Sequence, residues 1–217
     1  RFTRTPCIPG IPAVCLCNHA SSMTDINRNI QIMGIINLTD DSYFADSRCP
    51  DVASALRRVA RLLSEGADII DVGACSTRPG AEPVGTDVEW RRLEPFLRAV
   101  VDEFPGIRLS LDTYWASVVT RAHSLIGEFM VNDISAGEAD PQMLPTVGNL
   151  QLPYVAMHSR GDSMTMQSLT DYDDVTEDVV GYFKTFSEKA ACHGIQNWIL
   201  DPGFGFAKTV DQNYRIL

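Results

Sequence analysis

The chain has 217 residues, 45% of them hydrophobic and 21% charged, with a formal net charge of −10. That length buries a full core, and the acidic balance argues against broad binding to nucleic acid or membrane surfaces. No apolar run approaches the ~18–20 residues a membrane-spanning helix needs.

The first ~27 residues show neither helical nor strand periodicity and lack the ordered regions of a secretory signal. They contain Cys7, Cys15, Cys17 and His19. This spacing lacks the paired pattern of a zinc site, so an irregular segment over 1–28 is the expectation. With Cys49, Cys75 and Cys192 the cysteines form no regular framework. Reduced thiols and a cytoplasmic location follow as expectations.

Six short apolar runs then recur: QIMGIIN (31–37), DIIDVG (68–73), IRLSLDT (107–113), EFMVNDI (128–134), PYVAMH (153–158) and NWILDPG (197–203). None alternates strictly with polar residues, as expected of strands buried on both faces of a parallel sheet. Amphipathic helical patterns lie between most of them. Residues 52–66 carry an apolar stripe and end at a glycine. Residues 87–104 follow Thr86 with acids in the first turn, and Pro95 inside predicts a kink. Residues 115–126 and 174–194 complete the pattern, with a short helix over 140–147. The spacing from strand to strand averages about 33 residues, as in βα units.

Two architectures fit, a doubly wound sheet and a (β/α)8 barrel. No G-x-G-x-x-G follows the first strand, which weakens the first. A barrel typically needs ~250 residues. An α/β TIM barrel over 29–217, incomplete and lacking its last two units, is therefore the expectation. An unclosed barrel exposes two sheet edges, so poor stability of the isolated chain is expected with it.

In a barrel, chemistry gathers at the C-terminal ends of strands. Those ends carry Asn37, a Ser76-Thr77-Arg78-Pro79-Gly80 loop, Asp112, Asn132, Met157-His158, and Asp201-Pro202-Gly203-Phe204-Gly205-Phe206 followed by Lys208. Asp112, Asn132 and Asp201 are hydrogen-bond acceptors suited to a donor-rich planar ring such as an amino-pyrimidinone. Asn37 offers a hard oxygen to Mg2+, which keeps waters and shares substrate phosphates. Thr77 and Arg78 can meet an anion. Phe204 and Phe206, spaced by glycines, can wall an aromatic slot. Taken singly, each has a plainer reading. Asp112 and Asp201 serve equally as strand-end caps, and Asn132-Asp133 as a turn. Arg78 suits a surface ion pair, and Asn37 a bond to a neighbouring loop. His158 reads as a packed strand-end residue rather than an acid or base. Lys208 reads either as a mouth residue or as the solvated start of a helix.

Taken together, MGIINLTDDSYF, GADIIDVGACSTRPGAEPV, LSLDTYWASVV, VNDISAG, PYVAMHSRG and ILDPGFGFAKT resemble the strand-end motifs of the dihydropteroate synthase family, in order, over roughly 31–217. The resemblance implies a TIM barrel that joins 6-hydroxymethyl-7,8-dihydropterin pyrophosphate to p-aminobenzoate. It implies Asp112, Asn132 and Asp201 on the pterin edge, with Ile134 and Met157 against the ring. It implies Mg2+ on Asn37, with Asp41 helping to organise metal and cation. Thr77, Arg78 and Pro79 would close over the substrates, and Gly205 and Phe206 would line the p-aminobenzoate slot. A homodimer of the full-length protein, without nucleic-acid or membrane partners, is implied too. The sequence departs from the motifs at Asp40, Tyr43, Ala74, Cys75 and Ala207. The family's Ser-Arg-Lys and Arg-x-His motifs would fall beyond Leu217, so the 217-residue chain alone is expected to be inactive. Two other readings remain: a methyltetrahydrofolate–corrinoid methyltransferase-like barrel, and a non-catalytic pterin binder. The Ser-Thr-Arg-Pro-Gly and TDDSYF loops argue against the methyltransferase, which has no pyrophosphate to cover.

Overall fold

A computed structural model describes residues 30–38, 51–75, 84–161 and 164–217. Within the compact unit Gln31–Leu217, strands and helices alternate. The strands are β1 (Met33–Asn37), β2 (Ile69–Gly73), β3 (Leu109–Asp112), β4 (Met130–Asp133), β5 (Tyr154–Met157) and β6 (Trp198–Asp201). The helices are α1 (Val52–Ser64), α2 (Thr86–Glu103), α3 (Ala116–Ile126), α4 (Met143–Leu150), α5 (Val175–Cys192) and α6 (Val210–Ile216). The strands form one sheet in the order β1-β2-β3-β4-β5-β6. Every pair is parallel. This is the βα progression of a TIM barrel, with β1 and β6 at the edges of an open sheet.

Local chemistry sets the helix ends. Asp51 caps α1 in a capping box, its Oδ1 accepting from Ser54 N at 2.7 Å. Gly66, with φ of +100°, turns the chain after α1. Helix α2 continues through Pro95. Pro95 has no N–H to give the Arg91 carbonyl, and both residues lie on the exposed side of the helix. Helix α4 starts at Met143, three residues later than the sequence pattern suggests. Asp140 is occupied in turn and capping bonds instead, accepting from Gln142 N and from Ala116 N, each at 2.9 Å.

The core lies between the sheet and the helices. Ile36, Ile70, Val72, Leu111, Val131 and Tyr154 point out from the sheet onto Val59, Leu93, Phe96, Val119 and Val147. The opposite face is the lumen side. There the edge strands leave Ile35 at 50% and Ile199 at 48% exposure.

Candidate active site at the strand ends

Strand register brings the candidate residues together. Side chains alternate between faces, so every second residue shares the lumen face. Asn37 pairs with Gly73, Gly73 with Asp112, and Asp112 with Asn132. The row continues through Val155 and Ile199, and Met157 pairs with Asp201 in the row above. Ile35, Asp71, Ser110 and Met130 form the row beneath. Asn37, Asp112, Asn132, Met157 and Asp201 therefore all lie at one end of one face.

Gly73 keeps this row open. An added Cβ there would come within 3.1 Å of Asp112 Oδ2 and 3.5 Å of Asn37 Oδ1. Asn132 Nδ2 donates to Asp71 Oδ2 at 3.2 Å. Ser110 Oγ and Asp71 Oδ1 are buried without a partner in hydrogen-bond geometry. Sequence reasoning missed Asp71. Its signal was an acid inside an apolar run, two residues before a strand-end glycine.

Burial and mutual repulsion make this an acid-rich floor. The Asp112 carboxyl is held well above its ordinary range, first by burial and then by the charges of Asp71, Glu89 and Asp133. It still keeps part of its surface open at the mouth. Asp71 is raised by burial, offset in part by the nearby Ser110 hydroxyl and the Asn132 amide. Glu89, in the first turn of α2, is fully buried. Burial pushes its carboxyl up to about 7, against the easing influence of Thr113 and Arg92. Neither Glu89 oxygen has a partner in normal hydrogen-bond geometry. Glu89 was also missed, although it stands four residues before Leu93 on the apolar stripe of α2.

Asn132 and Asp133 divide two tasks. Asn132 faces the lumen, and Asp133 faces the helices. Asp133 accepts from Ser135 N and Oγ, each at 2.7 Å, from Gly137 N at 2.9 Å and from the Tyr154 hydroxyl at 2.6 Å. It shapes the exit of β4 and sets Ile134, half-buried, at its tip. Arg92 Nη1 donates to Ala74 O at 2.8 Å, tying α2 to the end of β2. Cys75 Sγ lies 3.5 Å from the Tyr114 hydroxyl.

The exit of β6 is a tight turn. Gly203 N donates to Asp201 Oδ1 at 2.8 Å, and Phe206 N to Gly203 O at 3.1 Å. Gly205 is held at both its polar groups, by Asn213 Oδ1 at 3.0 Å and Gln167 Nε2 at 3.3 Å. Phe206 is half-buried, and Phe204 is exposed. Lys208 is not the solvated start of a helix. It is 5% exposed and bonded to His158. His158 is a buried strand-end residue, as its sequence context suggests. Its ring falls to about 4, first through burial and then through the charges of Lys208 and Arg160. Burial lowers Lys208 to about 8, opposed by Asp201.

Asp41, Thr77, Arg78 and Pro79 lie outside the described residues, as does the N-terminal cysteine segment. Among the described residues no cluster of three His, Cys, Asp or Glu side chains could hold a metal ion. The Asn37 amide oxygen at the mouth fits a Mg2+ held mostly by water and substrate rather than a caged ion. No helix of the described residues is long and apolar enough to cross a membrane.

Six parallel strands in sequential order, with polar acceptors gathered at their C-terminal ends, mark the TIM-barrel class of enzyme scaffold. The family model described as "Pterin binding enzyme" matches residues 33–217. The chain belongs to that pterin-binding enzyme family. It is 40% identical over 204 residues to a mitochondrial folate synthesis bifunctional protein of Pisum sativum, covering 91% of this chain and 39% of the relative. It is 37% identical over 198 residues to a dihydropteroate synthase of Synechocystis sp., covering 90% of this chain and 68% of the relative. The solved Yersinia pestis dihydropteroate synthase in complex with a sulfonamide drug superposes with a TM-score of 0.79 at 36% identity, over 86% of this chain and 67% of that one. The chain thus spans well under half the length of the plant bifunctional relatives, 39% and 36%.

Proposed function

We propose that the protein is a dihydropteroate synthase of folate biosynthesis, a transferase. It would condense 6-hydroxymethyl-7,8-dihydropterin pyrophosphate with p-aminobenzoate. The observation that carries this reading is the strand-end set of Asp112, Asn132 and Asp201 on one lumen face. Half-buried acceptors of this kind need donors, and a pterin edge supplies them. Met157, buried beside Asp201, and half-buried Ile134 would give the ring an apolar backing. Gly205 and Phe206 offer a slot for p-aminobenzoate, which is where a sulfonamide would compete. Similarity to named dihydropteroate synthases at 37% and 39% identity supports the same reading.

In the reaction, the C–O bond to pyrophosphate breaks, and its electron pair leaves with pyrophosphate. The arylamine nitrogen then bonds to the pterin methylene carbon and releases a proton. Positive charge developing on the ring as pyrophosphate departs would draw the raised Asp71 and Asp112 carboxyls back toward their ionised form. Asn37 would hold Mg2+, which neutralises pyrophosphate charge when bound. Asp41, Thr77, Arg78 and Pro79 would order the leaving group and exclude water. A homodimer of the full-length protein is proposed on family resemblance. A cytoplasmic location is proposed on the scattered cysteines, which form no regular framework in the sequence.

The test is a condensation assay on the full-length protein with Mg2+ and labelled p-aminobenzoate. Dihydropteroate and pyrophosphate released one for one are expected. Pterin binding without product would overturn the synthase reading.

A further inference from the structure

Lys208 Nζ contacts four acceptors in the described structure: His158 Nδ1 at 2.9 Å, His158 O at 3.2 Å, Gly203 O at 3.1 Å and Phe206 O at 3.0 Å. Two belong to His158, the residue just after β5. Two belong to the turn that follows β6. No carboxylate stands within ion-pair reach of this ammonium among the described residues. Its charge is balanced by carbonyl dipoles and an imidazole nitrogen. Without it, three carbonyl oxygens would crowd one buried point with no donor between them.

We propose that Lys208 is a positioning residue, which clamps the β6–α6 turn onto the end of β5 and so fixes Asp201, Gly205 and Phe206 relative to Met157. The proposal rests on the synthase reading for its substrates, but not for the clamp itself. The local packing needs such a clamp. At Gly203, with φ of +69°, an added Cβ would collide with the His158 carbonyl oxygen, so two backbones meet there with no side chain between them. Only one backbone hydrogen bond joins His158 to the end of β6, from His158 N to Asp201 O at 2.9 Å. The ammonium supplies the remaining links. It also makes His158 Nδ1 an acceptor and leaves the ring proton on Nε2.

Other groups tune the clamp. Arg160 lies two residues after His158, Asp201 ends β6, and Asp178 and Tyr182 of α5 face the imidazole side. Arg160 is partly neutralised by Asp178 at 2.8 Å. Lys208 then loses its proton near pH 8, well below an exposed lysine, and the clamp weakens as it does.

The experiment uses the full-length protein with Lys208→Met and His158→Asn, the latter keeping an acceptor near the Nδ1 position. Hydrogen exchange at the Gly205 and Phe206 amides is read first. Lys208→Met is expected to speed it by about tenfold or more, and His158→Asn by less. The synthase assay is read second. Lys208→Met is expected to raise KM for p-aminobenzoate by about tenfold with a smaller change in kcat. In the wild type that KM rises as pH passes 8, and in Lys208→Met it stays flat. Unchanged amide exchange in Lys208→Met overturns the proposal. If the wild type makes no dihydropteroate, the synthase reading fails, and exchange still decides the clamp. If Lys208→Met does not fold, wild-type exchange from pH 7 to about 9.5, corrected for intrinsic rates, decides it. Protection lost above pH 8 supports the clamp, and protection retained overturns it.

Discussion

Asn132 Nδ2 donates to Asp71 Oδ2 over 3.2 Å, so an amide on β4 is oriented by a carboxylate on β2, across the intervening β3. This bond spends the Asn132 donor on the floor and leaves its carbonyl oxygen for the mouth. Asp71→Leu removes the acceptor and lets the amide rotate. Pterin affinity should fall about tenfold, the worth of one oriented hydrogen bond. Asp71→Asn retains an acceptor and should bind nearly as well. Titration calorimetry with 6-hydroxymethylpterin checks both variants, and equal affinity for Asp71→Leu and wild type would remove the orienting role.

The acid floor ties binding to stability. Burial and repulsion raise Asp112, so its neutral form prevails to higher pH in the folded state than in the unfolded one. Asp112→Asn should therefore stabilise the ligand-free protein at pH 7, while pterin affinity falls by roughly a hundredfold. Urea melts and calorimetry on the same sample measure the two effects. A variant that lost both stability and affinity would show that Asp112 is a structural cap.

Glu89 gives a pH dependence of known sign. Its folded value is about 7 against 4.5 for the free side chain, so the folded state binds more protons between those values. The stability it contributes is full below pH 4.5 and is lost as pH rises through 7. Glu89→Gln should remove that loss, up to about 3 kcal/mol at pH 8, leaving a flatter profile between pH 5 and 8. Denaturant melts across that range decide it. An unchanged slope would mean that Glu89 is solvated in solution.

His158 acts on the other limb. Its folded value is about 4 against 6.5 when free, so the unfolded state binds the extra proton. The associated stability is full above pH 6.5 and is lost as pH falls toward 4. Proton NMR of the imidazole should show no titration between pH 5 and 8. A midpoint near 6.5 would contradict the buried junction with Lys208.

Two glycines with the same backbone twist should respond differently to alanine. Gly194 has φ of +71° and open space around it. Its replacement should cost about 1 kcal/mol. Gly203 has φ of +69° and faces the His158 carbonyl. Its replacement should cost about 3 kcal/mol or more and loosen the turn that carries Phe206. Thermal melts of the two variants separate backbone twist from collision.

The six strands were legible because each is a continuous apolar run closed by turn residues, and the structure places β1 to β6 inside those runs. Asn37, Asp112, Asn132, Met157 and Asp201 were legible as a group because each stands at the end of such a run. Asp71, Glu89 and Gly73 were not. Their importance depends on which face they occupy and what lies across the register, and a run buried on both faces carries no alternation to reveal that. Lys208 was ambiguous for a related reason. Three of its four acceptors are backbone carbonyls, and side-chain chemistry in a sequence gives no sign of where carbonyls converge. The late start of α4 has a local cause, since Asp140 is diverted to the α3 amide.

A crystal structure of the full-length protein with 6-hydroxymethylpterin bound tests the pterin site most directly. The ring is expected at the mouth of the sheet, with its donor edge on the Asp112 and Asp201 carboxylates and the Asn132 amide, and Met157 against its face. A pterin bound elsewhere, or those three side chains turned away from it, would contradict that site.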